Sequence, residues 1–588
     1  MTDYKTADNK IPLFLPHSSA STDLNKTGSW RYVQPLYDEK TSPCSAACPV
    51  GEDIARVEML VSQQLIPEAW ETILEENPFP AVCGRVCFHN CEGACNRVQM
   101  DDAVAIHHLE RFVGDAAIFS EQIPKIKVPP DTGKKVAIAG SGPAGLGAAY
   151  FLARLGYRCE VFEAQSEPGG ILRWGIPTYR LPQEVLNAEI NRIKKLGVTV
   201  HCRTPVTIEM LEAFKTQYDA IFIGCGYGRS IDLKIKGAQT AVDGLQFLSR
   251  IRAEREVSVY TKGTAAVIGG GNTAIDVART LVRLGVDPII VYRRRRPDMP
   301  AFDPEVEMAL QEGVVLKELL SPIAIEDAGS DSGDQPASLV MTLQKMKVST
   351  PETNGRARVV PDDDKTEKLQ IDHIFTAIGA EAAESWQDGS TGEHPSQQFS
   401  HCKLIQAEMP IAYGGDLTNR IKSIADAIAS GKQAAIALDT YFKSGWDAVS
   451  AAFTDCQVGP GPAVSMAMYL GEKRKAQNSH IVSYGEINTH YFKSAPRTSL
   501  PVLSPDDRNH SFVPVESALS LEAALAESRR CFNCGICNAC DYCRLYCPEM
   551  SVMVEDSGRT INLDYCKGCG LCVAECPRNA MALKEEDV

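Results

Sequence analysis

The sequence predicts a multi-domain α/β protein. Two strand–turn–helix folds lie in the middle, with a helical cysteine-rich module in front and an α+β cysteine-rich module behind. Three observations carry this prediction. A hydrophobic strand, a glycine turn and a helix of small residues follow one another at 134–164, and the unit repeats at 263–296. Of the 21 cysteines, six fall between Cys44 and Cys95 and ten between Cys531 and Cys576. The 588 residues are enough for about four domains of roughly 150 residues each.

Composition narrows the class. With 44% hydrophobic and 23% charged residues, the chain has a core to bury. A net charge of −15 argues against nucleic acid as a partner. The first thirty residues are polar and carry no apolar signal region. No apolar stretch approaches the ~20 residues of a membrane span. A cytoplasmic protein is expected, and there clustered cysteines point to metal more than to disulfides. Cys159, Cys202, Cys225, Cys402 and Cys456 are scattered and are expected to be small buried apolar residues.

The C-terminal cysteines have a specific order. "CNACDYCRLYCP" and "CKGCGLCVAECP" each read C-x-x-C-x-x-C-x-x-x-C-P. Two such copies resemble the bacterial two-cluster ferredoxin, in which the fourth Cys of each copy ligates the other cluster. That resemblance implies one [4Fe-4S] cluster on Cys537, Cys540, Cys543 and Cys576, and a second on Cys566, Cys569, Cys572 and Cys547. Zinc takes separated pairs, not two interleaved fours that each close on Cys-Pro. Cys531 and Cys534 stand outside both copies and are expected to pack.

In the first glycine unit the strand Val136–Ala139 leads into Gly140, Gly142, Pro143, Ala144 and Gly145. A second strand ends in Glu163, 18 residues beyond Gly145. Gly140 makes the tight turn, Gly142 admits a pyrophosphate at the helix N-terminus, and Glu163 accepts from a ribose hydroxyl. The second unit places Gly269, Gly271, Asn272, Thr273 and Ala274 at its turn, and its strand ends in four arginines starting with Arg293 and Arg294. Guanidinium groups there suit a 2′-phosphate and favour NADP(H) without excluding NAD(H). Glycines at Gly224 and Gly379 end two further hydrophobic strands, as at chain crossings between two nucleotide folds. "IAYGGDLTNR" resembles the closing FAD motif of two-dinucleotide flavoproteins, which assigns Gly415 and Asp416 to the flavin.

"EPGGILRWGIPTYRLPQEVL", "VYRRRRPDMPAFDPEVEMALQEGV" and "FPAVCGRVCFHNCEGACN" resemble the small subunit of NADPH-dependent glutamate synthase and its relatives, from about Pro43 to Asp439. The N-terminal half of dihydropyrimidine dehydrogenase and the bifurcating ferredoxin:NADP oxidoreductases are similar. The resemblance implies a helical Fe-S domain (1–130), a split FAD-binding Rossmann-like domain (131–241 and 371–445) and an inserted NAD(P)H domain (242–370). A connector (446–525) and a ferredoxin domain (526–588) follow. It adds Gly170, Leu172 and Arg180 to the FAD contacts. It implies a flavin-side cluster on Cys48, Cys87, Cys91 and Glu110, for which the alternative is a surface-helix glutamate. Relatives carry a further C-x-x-C just upstream of Cys44; here that stretch has no cysteine. Cys44 and Cys95 are left for an outer cluster, with Cys83 as a further candidate, so at least one N-terminal cluster is expected. His89, His107 and His108 are read as structural.

The implied activity is electron transfer between NAD(P)(H), FAD and [4Fe-4S] clusters, to or from a redox partner protein. Hydride passes between bound rings, so no catalytic acid or base is required. The clusters at the two ends of the chain are expected to be the two ends of the wire. Dissimilatory sulfite reductase is one partner that the resemblance suggests, and a homodimer or hetero-complex is expected. The alternatives are a glutamate synthase small subunit, a bifurcating ferredoxin:NADP oxidoreductase, a disulfide reductase and a non-catalytic carrier. Neither "GGILRWGIPTYR" nor "GGGNTAIDVART" contains the cysteine pair of a disulfide reductase.

Overall fold

The structure is a computed structural model. It describes residues 25–120, 126, 128–254, 262–327, 339–351, 357–384, 386, 394–471, 479–555 and 558–586. Most of the polar leader read above, residues 1–24, lies outside them.

The first nucleotide fold is built on a seven-stranded sheet. Its centre is parallel: Ile411–Tyr413, Ala220–Ile223, Lys135–Ala139, Arg158–Phe162 and Thr199–His201 lie side by side. Two helices pack closely on it. Pro143–Arg154 has proline in its first turn, where the missing N–H costs nothing. Ile424–Ser444 starts at Ser423, whose side chain accepts from the Asp426 N–H. Glycine permits their contact: a Cβ on Gly431 would stand 2.4 Å from the Ala144 carbonyl oxygen.

The second fold is a five-stranded parallel sheet in the order Val315–Glu318, Asp287–Tyr292, Thr264–Ile268, His373–Thr376, Val242–Asp243. The sequence boundary at 370 therefore falls short, because His373–Thr376 pairs in register with Ala265–Ile268. An antiparallel meander of Leu320–Asp327, Leu339–Pro351 and Ala357–Ile371 precedes that strand. The two crossings between the folds pair with each other, Arg229–Ser230 against Ala380–Glu381.

The ends of the chain are interwoven. Helices Ile54–Ser62, Ile66–Glu76, Pro80–Val86 and Ile106–Ile118 form the N-terminal module. Val50, Phe79, Ala81 and Val82 share one apolar core with the first fold. Residues 27–37, however, belong to the C-terminal module. Val33–Tyr37 pairs antiparallel with Met581–Glu585, and Gly28 N–H donates to Asp564 O at 2.8 Å. The connector is also anchored. Val515 N–H donates to Tyr179 O at 3.0 Å, Arg111 to Glu516 O at 2.9 Å, and Arg283 to Ser511 O at 3.1 Å. Its closing helix is Leu521–Ser528.

Among the described residues no helix is long and apolar enough to cross a membrane. Of the scattered cysteines, Cys159, Cys402 and Cys456 are buried as expected, but Cys202 and Cys225 are only half-buried. Both follow the ends of strands, Thr199–His201 and Ala220–Ile223.

Candidate redox sites

The first glycine turn makes a cradle open to a ligand. Gly140 has φ +96°, and a Cβ on Gly145 would lie 1.9 Å from the Gly140 carbonyl oxygen. Pro143 and Ala144 start the helix, and Ala144 is buried. Around Gly142 the space is free: a Cβ there would meet nothing nearer than Gly170 Cα at 4.0 Å. Gly170, at φ +52°, leans over the turn, and a Cβ on it would sit 2.7 Å from Gly142 Cα. The two glycine backbones pack against each other, and the free space beside Gly142 at the helix N-terminus fits a pyrophosphate.

Glu163 secures this loop. Its carboxylate accepts from Ser141 N–H at 3.0 Å, Ser141 Oγ at 2.5 Å and Gln165 N–H at 2.8 Å. Gly224 N–H donates to Ala139 O at 2.9 Å, beside the turn. Gly415, at φ +67°, reaches the same helix start, where a Cβ would lie 3.1 Å from Ala144 Cβ. Asp416 follows it, and burial raises its carboxyl above the usual range. Gly379, at φ +121°, accepts from Ile231 N–H at 3.0 Å at the crossing.

The second turn repeats the plan. Gly269 has φ +145°, and the Ala377 carbonyl oxygen would lie 2.3 Å from any Cβ. A Cβ on Gly271 would meet only Pro300 Cγ, at 4.0 Å. Asn272 Oδ1 accepts from Phe302 N–H at 2.9 Å, Thr273 is half-buried, and Ala274 is buried. Arg295 pairs with Asp298 at 3.0 Å and Arg296 with Glu307 at 2.8 Å. Arg293 is exposed and Arg294 half-buried, and the buried Nε of Arg294 has no hydrogen-bond partner.

The C-terminal cysteines line two cavities. Cys537, Cys540, Cys543 and Cys576 line one; Cys547, Cys566, Cys569 and Cys572 line the other. Each cavity therefore takes three thiols from one copy and the last thiol from the other. Backbone N–H groups already point at sulfur, Ser551 to Cys547 at 3.2 Å and Ala580 to Cys576 at 3.3 Å. Burial, then the Cys566, Cys543 and Cys569 thiolates, pushes Cys572 up to about 12. Thiols packed this way ionise readily only around a cation. Among the described residues no three His, Cys, Asp or Glu side chains are grouped to hold a single metal ion; the thiols stand around hollows. The hollow and its donor set fit a cubane cluster.

In the N-terminal module Cys48, Cys87 and Cys91 lie together: burial first, then Glu110 and Cys48, push the Cys87 thiol up, and burial, then Cys48 and Cys87, push up Cys91. Glu110 faces Cys87 and Cys48. It is no surface residue: burial and the adjacent Glu52 hold its carboxyl well above the usual range. Asn77 Nδ2 bridges the two carboxyls, 2.7 Å from Glu52 and 3.0 Å from Glu110. Buried thiols beside two neighbouring buried carboxyls are a donor set suited to a positively charged group.

Three family models match the chain. Residues 37–122 match dihydropyrimidine dehydrogenase domain II, 4Fe-4S cluster. Residues 134–317 match pyridine nucleotide-disulphide oxidoreductase, and residues 559–582 match the 4Fe-4S binding domain. The glutamate synthase [NADPH] small chain of Escherichia coli is 31% identical over 415 residues, 67% of this chain and 87% of that one. The chain belongs to the glutamate synthase small-chain family of NAD(P)H-dependent iron–sulfur flavoproteins. Two more members are similar. The NAD-dependent dihydropyrimidine dehydrogenase subunit PreT of Escherichia coli is 32% identical over 410 residues, 68% of this chain and 91% of that one. The NADP(+)-dependent formate dehydrogenase subunit beta of Moorella thermoacetica is 31% identical over 529 residues, 84% of this chain and 70% of that one. The cofactors are accordingly FAD, NAD(P)(H) and [4Fe-4S] clusters at both ends of the chain.

Against this family plan some residues lie elsewhere. Arg180 is turned from the flavin cradle to Asp276 at 2.9 Å and Glu305 at 3.1 Å, where it ties the two nucleotide folds together. Leu172 is wholly buried core. Cys83 sits on the Glu110 side, beside Cys87 and Glu52, and not with Cys44 and Cys95. The thiols that do face Cys44 and Cys95 are those of Cys531 and Cys534. Their separation in sequence, more than 430 residues, hid this. His89 and His107 stack at 3.7 Å, and His107 bonds Glu92, in keeping with a structural role.

Proposed function

We propose that the chain moves electrons between NAD(P)(H) and a separate redox partner protein, with the C-terminal cysteine module as the docking end. The observation that carries this is the pair of cavities lined by interleaved cysteine fours. When bound, the flavin supplies the exchange between two-electron hydride chemistry and one-electron transfer. The chain itself positions the groups. The helix N-terminus at Gly142, with Gly170 packed against it, seats the FAD pyrophosphate, and Glu163 holds the loop that forms it. Asp416 lies beside the helix start for the flavin's ribityl–pyrophosphate region. Cys537, Cys540, Cys543 and Cys576 hold one cluster, and Cys566, Cys569, Cys572 and Cys547 the other. Cys48, Cys87 and Cys91 with Glu110 hold the flavin-side cluster. Cys540 and Cys569 are exposed, so the C-terminal clusters lie within reach of a docked protein.

The partner fits the class of a catalytic subunit or reductase that draws on a shared nucleotide pool; dissimilatory sulfite reductase is one such protein. Cys540→Ser should abolish electron transfer to a cluster-dependent acceptor and leave anaerobic bleaching of the flavin by NAD(P)H intact. Unchanged transfer in that variant would place the docking end elsewhere.

The nucleotide preference rests on two arginines. Arg295 and Arg296 are engaged in ion pairs, whereas no ion pair of Arg293 or Arg294 occurs among the described residues, which leaves them to a 2′-phosphate. Replacing both by alanine should cut kcat/KM for NADPH about tenfold to a hundredfold and leave NADH within about twofold; a charge-assisted contact to phosphate is worth roughly 1.5–3 kcal/mol. Steady-state kinetics with both nucleotides measures it. Equal losses for the two would remove the 2′-phosphate role.

A further inference from the structure

Cys531 and Cys534 lie outside both interleaved sets, in a C-x-x-C that opens the C-terminal module. The structure presses this loop onto the N-terminal module by direct backbone contact. A Cβ on Gly535 would stand 2.4 Å from the Lys40 carbonyl oxygen, and Lys40 N–H donates to Gly535 O at 3.0 Å. Asn533, at φ +48°, donates from its side chain to Ala55 O at 3.0 Å. Arg97 Nη1 donates to Arg530 O at 2.9 Å. The loop has little freedom to sit elsewhere.

This contact places four thiols together. Cys44 faces Cys95 and Cys534, Cys534 faces Cys95, and Cys531 faces Cys44 and Cys534. Cys44, Cys95 and Cys531 also pack against one apolar cluster. Two of the four sulfurs accept hydrogen bonds. Cys534 accepts from Asn96 Nδ2 at 3.4 Å, and Cys531 from Asn533 N–H at 3.3 Å. Cys44 shares a hydrogen bond with Ser42 Oγ at 3.2 Å. Thiols that merely fill a core need no such donors, whereas thiolates do. A second observation is independent of the sulfurs. Glu58 is 1% exposed, lies beside Cys44, Cys95 and Cys531, and its Oε2 has no hydrogen-bond partner. An unpartnered buried carboxyl oxygen at a ring of thiols marks a place where a group is missing from the contact set.

We propose that Cys44, Cys95, Cys531 and Cys534 ligate a further [4Fe-4S] cluster, two ligands from each end of the chain. The C-x-x-C that the family carries upstream of Cys44 is thereby replaced by one that arrives from the opposite terminus. The site also makes the redox groups a single file. Cys44 is four residues from Cys48, and Cys534 is three from Cys537. Those Cα separations are at most about 14 and 11 Å. Electrons entering at the flavin-side thiols thus have a short covalently bounded route to the ferredoxin-type clusters. The two cysteine groups are then successive parts of one wire, in place of its two opposite ends.

The proposal rests on the cluster-bearing flavoprotein described above and is tested by counting iron and acid-labile sulfide in the anaerobically purified full chain. At four irons per cluster, about 16 iron and about 16 sulfide are expected per chain, against about 12 of each without this site. The Cys531→Ser/Cys534→Ser double variant should lose about four iron, keep its flavin, and lose one reduced-cluster component in electron paramagnetic resonance. Cys83→Ser should keep all its iron. A wild-type chain with about 12 iron, or with about 12 iron and one zinc, overturns the proposal, and that count does not depend on the folding of any variant. Failure of the underlying assignment would look different: a chain with no iron at all.

Discussion

Gly145→Ala should yield a chain that purifies without flavin. The added methyl would lie 1.9 Å from the Gly140 carbonyl oxygen, far inside contact distance. The clashing atom is backbone, so no rotamer change can relieve it, and Gly140 itself sits at φ +96° with its own Cβ direction blocked by Gly224 O at 2.7 Å. The turn must open, and overpacking of this kind costs about 1–3 kcal/mol or more. That strain falls on the loop that seats the pyrophosphate, so flavin affinity should drop about fivefold to a hundredfold or more, at 1.4 kcal/mol per factor of ten. The second turn supplies the control, because Ala274 holds the matching position there and is accommodated in the core. Ala274→Gly should therefore keep its nucleotide binding within a few-fold. Flavin absorbance per mole of purified protein, with circular dichroism to show the fold is kept, measures the effect. A full flavin complement in Gly145→Ala would show that the turn tolerates a side chain and is not the cradle.

Lys432→Met should produce the largest loss of stability. Lys432 and Glu76 form an ion pair at 2.5 Å with both side chains wholly buried. The ammonium also donates to the Val50 carbonyl. Glu76 in turn accepts from Ser465 Oγ, from Met466 N–H at 2.8 Å and from Ala467 N–H at 3.3 Å. One pair thus joins the helical module, the long helix of the first fold and the connector. Removing the cation leaves a buried carboxylate uncompensated, which costs about 3–5 kcal/mol. For units of this size that is a drop of roughly 6–20 °C in the transition of the flavin-bearing fold. Adding Glu76→Gln should restore part of it, because the amide keeps one acceptor without the charge. Flavin fluorescence on heating follows the release. An unaltered transition in Lys432→Met would mean that the three segments are held together by packing alone.

What could be read from the sequence was what lies close together in it. The two glycine turns, the interleaved cysteine fours and the helix after Ser520 are all set by neighbours within about thirty residues, and spacing records such neighbours directly. Residues joined across the chain left no such trace. Nothing near Arg180 marks Asp276 as its partner, and nothing near Val33–Tyr37 shows that its sheet neighbour is Met581–Glu585. Cys531 and Cys534 looked like spare packing residues because they complete no local four; their fellow thiols are Cys44 and Cys95. The boundary at 370 slipped for a related reason. His373–Thr376 has the apolar pattern of either sheet, and only its register with Ala265–Ile268 decides the matter.

The pairing of Val33–Tyr37 with Met581–Glu585 has a consequence for how the protein is made. At 5–20 residues per second, roughly half a minute to two minutes separate the synthesis of the two strands. Throughout that interval the earlier strand emerges from the ribosome with an open edge and no mate, the exposure that invites wrong pairing. Tyr37, whose hydroxyl lies 3.3 Å from Cys543 Sγ, waits equally long for its neighbour. The C-terminal module therefore cannot mature until the later strand has been translated. Maturation waits for Met581–Glu585, and a chain broken off before that point carries an early strand with nowhere to go.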